Sequence, residues 1–414
     1  MDLMSAEEWK RLDAVGRIER GDLSLGQAAQ VLGLSKRQVR RLRGRVRAQG
    51  KEAVRHGNAG RYPTNRLAQA VRERVVELAK TKYVGFNDTH FSEKLREEEG
   101  IEASRPTVRR ILRGAGIGAA RKHRAAKHRR RRERKPQAGM MMLWDGSRHD
   151  WLEGRGPILC LMGAIEDATG EFLPGPHFLP QESAAGYLGV LKAIAEEKGL
   201  PWSVYQDRHS ALHRNDDHWT LAEELRGEQD PTQVGRALRE LGVEEIFALS
   251  PQAKGRVERL WGTAQDRLTS ELRLAGVCTI EQANSVLERY RPHFNRRFAK
   301  PPRDAKPAWR AVRAGMDLSR ICSLRYRATV GNDNAVRVGG PVFDIPPGPH
   351  RRSYAKVVVE VCQILDGSWR IYLDQELLAT AVAEEICELR TLPRHKRSDA
   401  ARAFRKAVHS MRST

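Results

Sequence analysis

The sequence predicts a multidomain protein: all-α modules in front, an α/β unit on a mixed five-stranded sheet in the middle, and a small all-β barrel of the SH3-like kind at the end. Three observations predict this. Apolar residues recur at helical spacing through residues 1–120. Between 137 and 275, apolar runs suited to strands alternate with amphipathic helices. After Tyr326, short β-rich runs are punctuated by Gly and Pro turns.

A length of 414 residues is too great for one ordinary domain. The expected boundaries are 1–55 and 66–120 for two helical modules, 121–136 for a basic linker, 137–275 for the α/β unit, 276–320 for a helical basic connector, 321–393 for the barrel and 394–414 for a basic tail. No run of apolar residues is long enough to span a membrane, and the first residues are charged rather than signal-like. The five cysteines, at 160, 278, 322, 362 and 387, form no CxxC pair and read as reduced, mostly core thiols of a cytoplasmic protein.

The net charge of +22 is unevenly spread. Residues 1–138 carry 35 Lys/Arg against 16 Asp/Glu, residues 139–272 carry 13 against 22, and residues 273–414 carry 26 against 14. Basic flanks suit a polyanion, and an acidic centre suits cations. A generic basic surface is the blander reading.

In the first module, Glu7–Ile18 is amphipathic. Ser24 caps a helix over Leu25–Leu32, Gly33 turns the chain, and Ser35 caps a second helix with Val39, Leu42 and Val46 inward. Its other face carries Lys36, Arg37, Arg40, Arg41, Arg43 and Arg47, the pattern of a helix-turn-helix with Ser35–Val46 as recognition helix. A second, weaker set has helices over Arg66–Ala79 and Thr89–Glu98, the latter capped by Asp88. A third helix, capped by Ser104, carries Arg105, Arg109, Arg110 and Arg113. Residues 121–135 hold ten Lys/Arg, among them Arg129, Arg130, Arg131 and Arg132. Such a run cannot build a core and suits phosphate, although many charge runs are only solvated.

In the central unit, MMMLWD and Ile158–Ile165 read as strands, Glu171–Phe178 as a third, Ser183–Lys198 as a helix and Trp202–Tyr205 as a strand. Thr232–Leu241 reads as a helix and Glu245–Ala248 as a strand, and a long helix opens at Ser250-Pro251 and reaches Leu272. That is the element order of an RNase H-like fold. In such a sheet the first and fourth strands are neighbours, so Asp145 and Asp207, at their ends, would meet, and the last helix would lay Glu258 across them. Three carboxylates brought together repel one another until a cation neutralises them. Mg²⁺ prefers carboxylate oxygen, and a pair of such ions serves phosphoryl transfer by activating the attacking oxygen and stabilising the leaving one. Lys254, Arg256 and Arg259 lie close to Glu258 in sequence and suit phosphates. A lone Asp at a strand end is ordinarily a turn residue. Asp150 and Asp216 compete for the same role, while Asp167, before Ala-Thr-Gly, is more simply a turn residue. His149, His209 and His213 read as polar loop residues, and Trp144, Trp151 and Trp261 as core or site wall.

Three segments carry a family resemblance. SPQAKGRVERLWGT resembles the third-acid helix of the integrase-like DDE transposases, YQDRHSAL their second-Asp segment, and LWDGSRHDWLEGRGP with LMGAIEDATG their first strand and hairpin. Over roughly residues 15–310 the chain resembles insertion-sequence transposases of the ISNCY type. The resemblance implies a metal-binding catalytic triad of Asp145, Asp207 and Glu258, two Mg²⁺ ions with Mn²⁺ as substitute, and strand cleavage followed by attack of a 3′-OH on target DNA. It implies binding to double-stranded terminal inverted repeats, homo-oligomers on DNA, and a bacterial, nucleoid-associated setting. Two departures stand out. The 51 residues from Asp207 to Glu258 exceed the gap usual in retroviral integrases, and Asp-Arg-His at 207–209 replaces their Asp-Asn-Gly. The alternative is a non-catalytic helix-turn-helix regulator or domesticated transposase. A nuclease for RNA–DNA hybrids is disfavoured by the front modules, which suit duplex DNA.

Overall fold

The computed structural model describes residues 4–55, 66–119, 132–214, 219–248, 255–349 and 351–389, apart from 383, 384 and 387. The chain divides into two compact units, Met1–Arg74 and Val75–Thr414.

The first unit is a helix-turn-helix. Helices α1 (Ala6–Glu19), α2 (Leu25–Leu32) and α3 (Lys36–Gln49) each begin with a capping box, Ser5 with Glu8, Ser24 with Gln27, and Ser35 with Gln38. Gly33 takes the left-handed conformation (φ 62°) that the tight turn needs. Ile18, Ala28, Ala29 and Val39 form its core, and Val15, Leu42 and Val54 pack beside them. Helix α4 (Gln69–Lys80) runs along the chain across the division between the units.

In the second unit, α5 (Asp88–Glu97) is capped by Asn87 rather than the expected Asp88, which sits in the first turn and pairs with Arg113 at 2.8 Å. In α6 (Arg105–Gly114), Ser104 stands at the cap position but its hydroxyl meets Thr107 Oγ1 instead of a backbone N–H.

The α/β unit follows with β1 (Met141–His149), β2 (Leu159–Glu166), β3 (His177–Leu179), α7 (Ala184–Glu197), β4 (Ser203–Gln206), α8 (Leu221–Arg226), α9 (Gln233–Glu240), β5 (Glu244–Phe247) and α10 (Val257–Leu274). The sheet order is β3-β2-β1-β4-β5. The β1–β2 and β2–β3 pairs are antiparallel, and β1–β4 and β4–β5 are parallel. This is the mixed five-stranded sheet expected, with first and fourth strands adjacent. Strand β3 is shorter than the predicted Glu171–Phe178: Pro174 and Pro176 offer no N–H to a ladder, and only a single bridge, Ile165 to Phe172, precedes them. Helix α8 was not anticipated, although Thr220 and Glu223 form a capping box and Gly227 ends it.

Alternation along the strands sorts side chains into two cores. Met142, Trp144, Met162 and Val204 face α7 and α9, whereas Met141, Leu143 and Leu161 face α10. Helix α11 (Ile280–Phe298) adds Leu287, Tyr290 and Phe294 to the α10 core. A helical connector was expected over 276–320, but α11 stops at Phe298, where Pro301, Pro302 and Pro307 follow.

After α12 (Leu318–Ile321) come β6 (Leu324–Thr329), β7 (Ala335–Arg337), β8 (Val342–Asp344), β9 (Val358–Gln363), β10 (Trp369–Leu373) and β11 (Glu376–Ala381). The expected barrel is not closed among the described residues. Strands form an open antiparallel sheet, β11-β10-β9-β6, beside a separate β7–β8 hairpin. The hairpin strands, three residues each, ladder only with one another among the described residues and so leave the edges of the larger sheet unjoined. Cys160, Cys322 and Cys362 are free and buried, as expected, while Cys278 is exposed. No described helix is long and apolar enough to cross a membrane.

Helix α5 docks on α10 through buried polar groups. Glu93 pairs with Arg267 at 2.6 Å, each side chain only 7% exposed, and also with Arg297. His90 Nε2 lies 2.7 Å and Lys94 Nζ 2.9 Å from the Glu271 carboxylate, and Asn87 donates to Asp266. Burial alone would raise the Glu93 and Glu271 carboxyls. Arg267 on Glu93, and His90 and Lys94 on Glu271, overcome it and hold both below their ordinary value of 4.5. Burial lowers the His90 ring below its ordinary 6.5. All three groups therefore bind protons less readily folded than unfolded. Their contribution is complete above 6.5 and is lost as pH falls through that value and then below 4.5. Hydrogen exchange corrected for intrinsic rates should show α5 losing protection on acidification from neutral pH well before α7, whose contacts are apolar.

Candidate active site

The register of the central strands decides where the first two acids lie. Parallel pairing sets Leu143 beside Tyr205. Asp145 lies two residues past Leu143 on β1, and Asp207 two residues past Tyr205, just beyond the end of β4 at Gln206. The alternation gives the face of the first acid: Leu143 belongs to the α10 side, so Asp145, two residues on in the same strand, projects to that side as well. On β2, Asp145 is paired with Gly163. A Cβ there would come within 2.8 Å of the Phe172 ring and 3.2 Å of the Trp261 ring, so α10 lies directly over the neighbour of Asp145. Glu258 is in the first turn of α10, three residues before Trp261. The charges of Asp145 and Asp207 are both felt at the Tyr187 hydroxyl, so the two acids lie near the same residue, and the helix carrying Glu258 covers the sheet face to which Asp145 projects. Among the described residues, however, no three His, Cys, Asp or Glu side chains converge closely enough to coordinate one ion.

A fourth acid, absent from the sequence reading, borders the pair from the α7 side. Glu182 Oε1 accepts from the Tyr187 hydroxyl at 2.5 Å and lies 3.3 Å from His209 Nδ1. The His209 N–H in turn donates to Asp207 Oδ1 at 3.1 Å. Gly146, next to Asp145, has no room for a side chain: a Cβ would sit 2.6 Å from Glu182 Oε2 and 3.0 Å from Cys160 Sγ. Burial pushes the Tyr187 hydroxyl well above its usual range, and the charges of Glu182, Asp145 and Asp207 push the same way. Burial, Glu182 and Asp145 likewise push the Cys160 thiol up to about 12. The negative potential expected of the acidic centre is therefore felt by two separate neutral groups. Carboxylate oxygens on adjacent strand ends fit a hard divalent cation.

Other candidates fall into clear groups. Trp144 and Trp151 are fully buried core, and Trp261 nearly so. Asp150 accepts from the Gly154 N–H in a turn. Asp167, read as a turn residue, is completely buried and bound by Arg132 and Arg256. Lys36, Arg37, Arg40 and Arg41 are exposed on α3, whereas Arg43 and Arg47 both pair with Glu19, at 2.7 and 2.5 Å. On α6, Arg105, Arg109 and Arg110 are exposed, while Arg113 is tied to Asp88 and to the Ile117 carbonyl. Arg259 is exposed. Asp216, Lys254, Arg129, Arg130 and Arg131 lie outside the described residues.

The strand order β3-β2-β1-β4-β5, with its helices on both faces, is that of an RNase H-like core, in a chain whose first unit is a helix-turn-helix. A family profile described as winged helix-turn-helix matches residues 11–73. The chain is 37% identical over 326 residues to the putative transposase y4bF of Sinorhizobium fredii (strain NBRC 101917 / NGR234), covering 78% of this chain and 70% of that protein. It is 32% identical over 329 residues to the transposase for insertion sequence IS1202 of Streptococcus pneumoniae, covering 70% and 68%. The chain belongs to the insertion-sequence transposases. Among solved structures, the magnesium complex of the HTLV-2 integrase catalytic core domain in its trimeric form is 12% identical with a TM-score of 0.27, covering 36% of this chain and 84% of that one. A simian T-cell lymphotropic virus intasome in complex with PP2A regulatory subunit B56 gamma is 13% identical with a TM-score of 0.32, covering 77% and 100%. Likeness at this level says nothing about individual residues of this chain.

Replacing Gly146 by Ala should drive the Glu182 carboxylate off Tyr187 and His209 and lower the unfolding free energy by about 1–3 kcal/mol. In denaturant titrations the double variant Gly146→Ala/Glu182→Ala should cost less than the sum of the single changes, since the clash is then gone.

Proposed function

We propose that this transposase binds the terminal inverted repeats of its element and performs two-metal-ion strand cleavage and strand transfer, with Asp145, Asp207 and Glu258 as the acids of the site. The observation that supports this reading is the parallel register that pairs Leu143 with Tyr205, each two residues before one of the Asp residues, on the sheet face that the Glu258 helix covers. Divalent ions held there would neutralise the scissile phosphodiester, activate the attacking oxygen and stabilise the leaving one. Asp145 and Asp207 supply adjacent carboxylates from a rigid sheet edge. Glu258 supplies the third acid from the exposed first turn of α10. Water and then a 3′-OH are the nucleophiles, so no covalent bond to the protein forms.

Recognition of the ends is assigned to the exposed basic faces of α3 and α6, with Arg259 near the site on phosphate. Assembly as a homo-oligomer follows from the need to hold two ends at once. One observation favours a second reading, a non-catalytic regulator or domesticated transposase: no three acids meet in one coordination sphere among the described residues.

Strand transfer of duplexes carrying the DNA that flanks the reading frame separates the two. With Mg²⁺ or Mn²⁺, the native chain should cleave and join them, and Glu258→Gln should lose on the order of 10³-fold in rate. Equal activity in that variant rejects the triad, and metal-independent binding without any cleavage selects the regulator. Arg40→Ala should weaken DNA binding and reduce the slope of log affinity against log salt by about 0.9, as expected when one phosphate contact is lost. An unchanged slope would remove Arg40 from the interface.

A further inference from the structure

The start of α10 has an unusual anchor. Its cap residue, Arg256, makes no side-chain cap to the helix. Instead its guanidinium, 11% exposed, reaches the fully buried Asp167 carboxylate at the end of β2. Arg132 binds the same carboxylate through both Nη atoms, and the Lys135 N–H donates to it at 2.7 Å. Arg256 Nη2 also donates to the Arg132 carbonyl at 2.8 Å. Asp167 is itself fixed, because its N–H donates to the Met141 carbonyl at the start of β1. Arg132 further lies over the Tyr205 ring, 5.7 Å from its centroid, two residues before Asp207. One carboxylate therefore joins the sheet, the end of the basic linker and the helix that carries Glu258. An uncapped helix end is otherwise free to fray.

We infer that Asp167 is a positioning residue for strand cleavage, holding the first turn of α10 through Arg256 so that Glu258 is presented to Asp145 and Asp207. This rests on the assignment of Glu258 as the third acid. It also sets the role of Arg256: its charge is spent inside the protein on Asp167 rather than on a phosphate of DNA. Burial depresses the Arg256 guanidinium while Asp167 opposes that effect, consistent with a desolvated internal pair.

The test uses the full chain and duplexes carrying the DNA that flanks its reading frame. Cleavage rate is followed against Mg²⁺ concentration, alongside DNA affinity and thermal unfolding. Arg256→Gln should slow cleavage at saturating DNA by about tenfold or more and raise the half-saturating Mg²⁺ concentration, with DNA affinity within about twofold of native. Arg256→Lys, which keeps a point charge, should recover part of both losses. Asp167→Asn should reproduce Arg256→Gln; should it fail to fold, the Arg256 pair decides alone. Weakened DNA affinity in Arg256→Gln would return Arg256 to the DNA interface and overturn the inference. So would slower cleavage with native Mg²⁺ dependence and no recovery by Lys, which marks a merely structural pair. Native cleavage in Arg256→Gln beside an inactive Glu258→Gln rejects the anchor and leaves the triad standing; native cleavage in Glu258→Gln rejects both.

Discussion

Parallel pairing of β1 with β4 is the constraint on which the rest of this molecule depends. Parallel neighbours cannot be joined by a hairpin, so the chain must leave β1, build β2, β3 and α7, and return. That crossover covers one sheet face with α7 and leaves the other to α10 and α11. It also converts a separation of 62 residues between Leu143 and Tyr205 into a step of one strand. A slip of one residue in β4 would exchange the faces of Val204 and Tyr205. Val204, fully buried between α7 and α9, and Tyr205, against the opposite core, hold the register against that slip.

Electrostatics follow from that placement. Carboxylates of Asp145, Asp207 and Glu182 act together on Tyr187, a buried neutral hydroxyl, and Cys160 is kept a thiol beside them. Around this acidic patch, other charges are paired internally: Asp167 with two arginines, Glu93 with Arg267, Glu223 with Arg214. Burying such ions is costly unless partners replace their water, and each has such partners. These pairs tie sequence-distant segments together, so they act as joints more than as sources of net stability.

Much of this was legible in the sequence, and the exceptions have physical causes. Helix starts at Ser24 and Ser35 were readable because a cap is a local signal of three residues. The strand order was readable because it follows from element order. Strand β3 was overestimated because the apolar letters of EFLPGPHF outweighed two prolines that cannot join a ladder. Helix α8 was missed despite its Thr220–Glu223 box, since its six residues expose Leu221 and Leu225 rather than bury a stripe. Glu182 and Asp167 escaped for a different reason. Their partners lie 27, 35 and 89 residues away, at His209, Arg132 and Arg256, and no local pattern encodes such pairings. Arg43 and Arg47 read as part of a uniform basic face, and only the fold shows Glu19 beneath them.

Docking of α5 on α10 has a mechanical consequence. Glu93, His90, Lys94 and Asn87 fasten α5 along the middle and far end of α10, the helix that carries Glu258 in its first turn, and α6 packs on α5. The arginine-bearing outer side of α6 is therefore tied to α10 by side-chain contacts between helices as well as by the chain. On the proposed reading, a duplex gripped at α6 would meet the acidic sheet edge at a set offset, so the protein itself would act as the ruler that measures how far along the helix axis a strand is cut.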